Sequence, residues 1–398
     1  MTKISPYIFN TYKRQPLRFV RGQGAYLWTD RGEKYLDFFS GLAVCGVGHA
    51  NPQVAAAVAR QAKELIHTSN LYFTVPQEKL AERLSKRTFG GKVFFSNSGA
   101  EANECAIKLA RRFGHVHNRK GKDRYEIVVF ENSFHGRTMA TLSATAQKKY
   151  QKGFGPLLPG FRTAKRMDLA SVKKCLTPRT CAVLIEPIQG EGGVRPADRR
   201  FLALLKALCR RHDLLLMFDE VQTGIGRTGY LYAYQCLDVI PDVLTSAKGL
   251  ADGIPIGATL AKPAVADLLK PGDHASTFGG GPVVCAAALA VLDILTPAYL
   301  KRIRQTGEEI SRRLMEMRSR NPVITDVRGR GLMWGVQLDR PGDAVVPFCR
   351  ENGLLVNCTA GNVIRLLPPF CVGKKEIDRA MDLIEKAIFS LTTIKKNL

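Results

Sequence analysis

Two stretches near the middle of the chain hold residue types that could do chemistry. Leu214-Leu215-Leu216-Met217-Phe218 is an apolar run ending in Asp219-Glu220-Val221-Gln222, and further on a single lysine stands in Ser246-Ala247-Lys248-Gly249-Leu250. A short, wholly apolar run fits a fully buried strand. In open α/β sheets, ligands bind beyond the carboxyl ends of such strands. A carboxylate and a lysine at neighbouring strand ends suit pyridoxal phosphate: the lysine takes the aldehyde as a Schiff base, and the acid keeps the pyridine nitrogen protonated. Taken alone, the pair also fits Asp219 as a turn cap and Lys248 as a solvated surface lysine.

Other clusters repeat the pattern. Val93-Phe94-Phe95 reads as a strand and runs into Ser96-Asn97-Ser98-Gly99-Ala100-Glu101-Ala102-Asn103, where a helix begins. A helix start after a small-residue turn offers free N–H groups and the positive end of a dipole to a phosphate. Ser98 as a plain helix cap is the competing account. The strand at 127–130 leads into Asn132-Ser133-Phe134-His135-Gly136-Arg137-Thr138, and the strand at 181–185 into Glu186-Pro187-Ile188-Gln189-Gly190-Glu191. Every cluster therefore follows a strand. Gly224-Ile225-Gly226-Arg227-Thr228-Gly229 matches G-x-G-x-x-G, but the acids before it would repel a pyrophosphate and no clear helix follows, so a dinucleotide site is rejected.

Strands alternating with helices predict an α/β unit with a mainly parallel sheet flanked by helices. Around it, residues 24–38 read as a hairpin turning at Asp30-Arg31-Gly32. Helices are expected at 52–68, from Pro76, at 200–211, 283–295 and 299–319, and from Lys374. Strands at 324–327, 332–338, near 354–356 and at 363–366 make the C-terminal part α+β. The expected division is 1–50, joining a small domain; 51–282, a large domain; and 283–398, the rest of the small domain.

The chain has 398 residues, 45% hydrophobic and 24% charged, as for an ordinary globular protein. The start, Met1-Thr2-Lys3-Ile4-Ser5-Pro6, lacks a signal-peptide core and no run suits a membrane span, so a cytoplasmic protein is expected. Ten scattered cysteines suggest reduced core residues, neither disulfides nor a metal site, and His115 with His117 reads as a surface pair. The formal net charge of +24 is dispersed, without interleaved aromatics, so solvated helix faces and steering of anionic ligands are expected rather than nucleic-acid binding. An acidic protein partner stays open.

With Leu36-Asp37-Phe38, Gly48-His49, His67-Thr68-Ser69-Asn70-Leu71-Tyr72, Gly153-Phe154-Gly155-Pro156 and Ser276-Thr277-Phe278-Gly279-Gly280 added to those clusters, nearly the whole chain resembles the class III (subgroup II) aminotransferases, fold-type I pyridoxal-phosphate enzymes. The resemblance implies that Lys248 holds the cofactor and shuttles the proton, and that Asp219 pairs with the ring nitrogen. It places Glu220 and Gln222 near the cofactor, Phe134 and Val221 on its two faces, and Ser98, Gly99 and Ala100 at its phosphate. Thr277 would reach the phosphate of the neighbouring subunit in a homodimer with shared sites, with Ser276 beside the substrate. Gly281 stands where the family usually has asparagine.

Within the family the likeness is nearest to members acting on an acylated ornithine with 2-oxoglutarate, in arginine biosynthesis. Arg137 is then the seat for the donor's α-carboxylate and Arg365 for glutamate's, with Glu191 masking Arg365 in one half-reaction. Leu42 stands where relatives that use free ornithine have a tyrosine. Succinylornithine, succinyl-diaminopimelate, carrier-linked lysine, ornithine and 4-aminobutyrate remain alternative donors. A non-catalytic basic binding protein on the same fold is the alternative of another class.

Overall fold

The computed structural model describes residues 6–118 and 121–393; Met1 to Ser5, the opening read above for a signal core, lie outside the described residues. At the centre is a seven-stranded sheet in the order Lys92–Ser96, Gly257–Ala261, Val243–Ser246, Leu215–Asp219, Thr180–Ile185, Glu126–Phe130 and Phe161–Ala164. Pairs are parallel except where Gly257–Ala261 runs antiparallel to both neighbours. Residues 247–256 are too few for the crossover of about a dozen residues that a parallel neighbour needs. They form instead a tight return at the carboxyl end of Val243–Ser246, and Lys248 sits in that return.

The four strands from 180 to 261 are buried almost throughout, which is why they read as apolar runs without alternation. Their side chains still alternate between two cores. Val128, Val183, Leu216 and Phe218 face one layer, which includes Phe201, Leu205 and Val291. Ile127, Val129, Leu184 and Met217 face the other, against Ile107, Leu109 and Phe113 of the helix Gly99–Val116. This second helix–sheet contact carries the N-terminus of Gly99–Val116 to the edge where the strands end.

The N-terminal hairpin forms as expected, Tyr26–Thr29 against Lys34–Asp37, with the unforeseen Phe19–Gln23 on its outer side. Leu354–Leu355 joins parallel to Lys34–Asp37, so the two chain ends share one sheet. A second four-stranded sheet holds Ile324–Arg330, Met333–Leu338, Val363–Leu366 and Asn357–Thr359. The helix expected to reach residue 68 stops at Glu64, because Leu65 turns to an extended backbone. Pro282–Ile294 packs chiefly on Pro52–Glu64 and Val75–Lys86. Among the described residues no single helix is long and apolar enough to cross a membrane.

Candidate active site

Asp219 ends its strand with 5% of its surface exposed. Its Oδ2 accepts from Asn103 Nδ2 at 2.7 Å and lies 2.8 Å from His135 Nδ1, and its Oδ1 accepts from Val221 N at 3.1 Å. A carboxylate this deep persists only with such partners. Asn103 is itself fixed: its amide also donates to the His135 carbonyl at 2.7 Å, and its Oδ1 accepts from Thr245 Oγ1 at 2.7 Å. The neighbouring strand therefore orients Asp219 through the helix.

Lys248 follows that neighbouring strand with a positive φ of 48°, a conformation non-glycine residues seldom adopt. Burial lowers its pKa; the nearby Asp219 and Glu191 carboxylates oppose the shift, and Arg365 adds to it.

The helix Gly99–Val116 starts with a capping box. Ser98 Oγ accepts from Glu101 N at 3.1 Å and donates to the Glu101 carboxylate at 3.0 Å, which also accepts from Asn97 N at 2.9 Å. The Ser98 hydroxyl is thus a cap, as its competing account had it. Ala102 N bonds to the Ser98 carbonyl. Among the described residues the Gly99 and Ala100 N–H groups have no partner, and both residues line the cavity. A Cβ on Gly99 would stand 2.6 Å from Val221 Cγ1, so only glycine lets this turn approach so closely.

These groups line one cavity of about 570 Å³, with Phe134 and Val221 in its walls. Glu186 lies in the same wall. Burial, with the nearby Asp219 charge, holds its pKa well above the carboxylate range, although Phe134 N donates to it at 3.1 Å. Glu191 Oε1 lies 2.6 Å from Arg365 Nη1, and Gln222 Oε1 accepts from the same nitrogen at 3.2 Å. At the mouth, the Arg137 guanidinium lies 4.0 Å from the Tyr150 ring centroid and 5.6 Å from that of Phe134.

One expectation needs correction, and three other residues lie outside this cavity. Glu220 does not face the cavity: its carboxylate is buried beneath the sheet end and accepts from Tyr234 N at 2.8 Å, Thr223 Oγ1 at 2.8 Å and Ala233 N at 2.6 Å. It ties down the 220–234 loop. Ser276 and Thr277 do not line this cavity; they border a separate surface hollow with Asn70 and Phe94. Leu42 is also outside the lining, and Val44 of the same loop is the residue that enters it.

His135, Asn103, Glu186 and Tyr12 were not singled out as site residues, yet all four line the cavity. His135 stood in plain view between Phe134 and Gly136. Asn103 lies one helical turn beyond Gly99, a spacing that puts both on one face.

Two unpartnered N–H groups at a helix start suit a phosphate. A buried carboxylate and a buried amine on adjacent strand ends suit the ring nitrogen and the aldehyde, so the donor set fits pyridoxal phosphate. The family model for class-III aminotransferases matches residues 7–388. An acetylornithine aminotransferase of Aquifex aeolicus is 48% identical, over 96% of this chain and 100% of its own. One from Methanothermobacter thermautotrophicus is 46% identical, over 97% of each chain. Among solved structures, an ornithine aminotransferase from Toxoplasma gondii, described with partial occupancy of PLP at its active site, superposes with a TM-score of 0.94 at 33% identity, covering 98% of this chain and 93% of that one. The acetylornithine aminotransferase of Elizabethkingia anophelis gives 0.84 at 33% identity, covering 96% of both. A parallel-sheet core with this site at its strand ends, matched along nearly its full length by such relatives, belongs to the class-III aminotransferases, pyridoxal-phosphate enzymes of fold-type I.

Proposed function

We propose that this chain moves the δ-amino group of N2-acetyl-L-ornithine to 2-oxoglutarate, giving N-acetyl-L-glutamate 5-semialdehyde and L-glutamate, as a step of arginine biosynthesis. The observation that carries the substrate assignment is a pair of guanidinium groups about one cavity: Arg137 exposed at its mouth, and Arg365 buried behind the lining residues Glu191 and Gln222, with which it bonds. Both half-reactions bring an α-carboxylate, but only one also carries a long acylated tail. An always-free Arg365 would capture the wrong carboxylate, and the Glu191 bridge prevents that.

Pyridoxal phosphate, when bound, supplies the electron sink for the carbanion. The protein supplies the rest. Lys248 Nζ would hold the cofactor by its aldehyde and, when free, would be the base that takes up and returns a proton beside the donor's δ-carbon. Its burial-lowered pKa suits an amine that must accept a proton near neutral pH. Asp219, set by His135 and Asn103, would hold the ring nitrogen protonated. The Gly99 and Ala100 N–H groups would take the phosphate, Phe134 and Val221 would hold the ring from the cavity walls, and Gln222 would assist at the phenolic oxygen.

A homodimer with shared sites is part of the same assignment. Leu71, Phe73 and Phe278 are 88%, 89% and 66% exposed, and Leu71 borders the same surface hollow as Ser276 and Thr277, outside the active-site cavity of their own chain. An exposed apolar patch of this kind suits a subunit interface. The ten free cysteines fit the reducing cytoplasm. The smaller domain then comprises the two chain ends, and the packing of Pro282–Ile294 on Pro52–Glu64 and Val75–Lys86 supports a large domain that runs on to near 295.

The test is a steady-state assay with 2-oxoglutarate and either N2-acetylornithine or ornithine. N2-acetylornithine is expected to have much the higher kcat/KM. Equal values for the two donors overturn the assignment.

A further inference from the structure

Three guanidinium groups meet at a place the reaction does not use, for none of them lines the active-site cavity. Arg166 follows the edge strand Phe161–Ala164. Arg195 stands opposite Gln189 in a two-stranded ribbon, and Arg328 lies in Ile324–Arg330 of the C-terminal sheet. Gly192, Gly193 and Val194, just before the ribbon's return strand, are buried in a turn. Their carbonyls therefore need donors. Arg195 Nε donates to the Gly192 carbonyl at 3.1 Å, Arg328 Nη2 to that of Gly193 at 2.6 Å, and Arg328 Nε to that of Val194 at 3.0 Å. Arg166 Nη2 donates to the Pro196 carbonyl.

Those contacts explain one nitrogen of Arg166, one of Arg195 and two of Arg328. They do not explain three like charges at one place. Burial, then the Arg195 and Arg328 charges, bring the Arg166 pKa down to about 10; burial and the Arg328 charge lower that of Arg195. The carboxylate in contact is Asp326, 2.7 Å from Arg328 Nη1 and 4.0 Å from Arg318, so its charge is already shared. Glu186, the other acid that Arg166 senses, is buried in the cavity wall with a raised pKa and offsets little. Among the described residues, Arg166 Nε and Nη1 and both Nη atoms of Arg195 have no acceptor. All three arginines keep part of their surface open to solvent.

Carbonyl oxygens carry only partial charge, so these contacts aim the guanidinium forks and leave their repulsion uncompensated. Such forks match the oxygens of phosphate and carboxylate groups. We propose that Arg166, Arg195 and Arg328 form a binding site for a multivalent oxyanion, a phosphate group or a dicarboxylate. The anion ties the edge of the central sheet to the C-terminal sheet across the turn that follows Glu191.

Calorimetric titration of the holoenzyme, its cofactor already in place, tests the site with inorganic phosphate and with succinate at constant ionic strength. One of the two probes is expected to bind saturably, one ion per chain, without moving the visible cofactor band. Phosphate as the tighter probe marks a phosphate group as the ligand, and succinate as the tighter one marks a dicarboxylate. Arg195→Gln and Arg166→Gln should each weaken that binding by about tenfold or more, as for a lost charge-assisted hydrogen bond. Both should melt close to the parent in anion-free buffer, since each also removes a repelled charge. Arg137→Gln, at the cavity mouth, should leave the binding of the tighter probe unchanged. Three results overturn the site: no saturable heat from either probe, an equal response to chloride, or undiminished binding in the Arg195 and Arg166 variants. Should Arg195→Gln fail to fold, Arg195→Lys keeps the charge without the fork, and undiminished binding there overturns the site as well.

Discussion

Glu191 Oε1 and Arg365 Nη1 stand 2.6 Å apart, and the arginine side chain has no exposed surface while the glutamate side chain keeps 22%. Burial alone would raise the Glu191 carboxyl; the Arg365 charge and hydrogen bond override it and lower the pKa instead. The bridge is thus a strong ion pair with one partner able to swing toward solvent. Replacing Arg365 with Ala should cut kcat/KM for glutamate by about 10²- to 10³-fold, the usual cost of losing one side of a buried charged contact. The donor half-reaction should change far less. Glu191→Ala should lower KM for glutamate and raise it for N2-acetylornithine. Stopped-flow half-reactions check both. A merely structural bridge would lower the melting temperature and leave the ratio of the two KM values where it was.

Lys248→Ala should abolish turnover, since the amine proposed to hold the cofactor and move the proton is gone. Asp219→Asn should lose at least about 10²-fold in kcat, because a neutral amide cannot stabilise a charge at the ring nitrogen. Both variants should still bind pyridoxal phosphate through the helix start, as read from absorbance after gel filtration. Near wild-type turnover in either removes the role assigned to that residue.

What was legible in the sequence was the frame of this site. Apolar runs located Leu215–Asp219 and Thr180–Ile185 because both sheet faces are covered, and each cluster after a strand indeed lies at a strand end. Phe161–Ala164 escaped notice because it is an edge strand with Arg162 and Thr163 exposed, so it carries no apolar run. Glu220 was misplaced because a motif groups neighbours that backbone alternation separates: Asp219 and Val221 reach the cavity while Glu220 points the other way. The His135 and Asn103 contacts to Asp219 join three separate stretches of chain, and spacing alone carries no trace of that meeting.

Ser276 and Thr277 lie outside the cavity of their own chain, so a complementation test distinguishes a shared site from a cis contact. Lys248→Ala and Thr277→Ala chains are each expected to be weak alone. Unfolded together and refolded as a mixture, they should recover about a quarter of wild-type activity, one intact site in the half of the dimers that are mixed. No recovery above the average of the parents would show that Thr277 does not serve the partner's site.

Burial raises the Glu220 carboxyl to about 7, against the hydrogen bonds from Tyr234 N, Ala233 N and Thr223. Its folded pKa exceeds its unfolded one, so the folded protein binds the extra proton. The stabilisation is complete below about 4.5 and is lost as pH rises through about 7. Glu220→Gln cannot ionise. It is expected to gain on the parent as pH climbs from 5 to 8, where the parent must ionise a buried acid and the amide need not. Denaturation midpoints at matched pH measure this. A constant difference across that range would rule out ionisation of Glu220 as the cause.

Gly99 is where helix start, Val221 and the proposed cofactor seat converge, and its substitution separates cofactor binding from folding. A Cβ there meets Val221 Cγ1 at 2.6 Å and Cγ2 at 3.0 Å. Val221 has a β-branched side chain that is stiff at χ1, so relief must come from a shift of the turn or of the Val221 backbone. Overpacking of this kind costs about 1–3 kcal/mol. The turn also carries the Gly99 and Ala100 N–H groups, so part of that cost should appear as misaimed donors. Gly99→Ala is therefore expected to weaken pyridoxal phosphate binding by at least about tenfold, with a smaller loss in kcat once the cofactor is saturating. Titration of the apoenzyme, followed by the visible band, gives the dissociation constant directly. If affinity holds while the melting temperature of the apoenzyme drops, the close approach to Val221 serves the fold and the phosphate is held elsewhere.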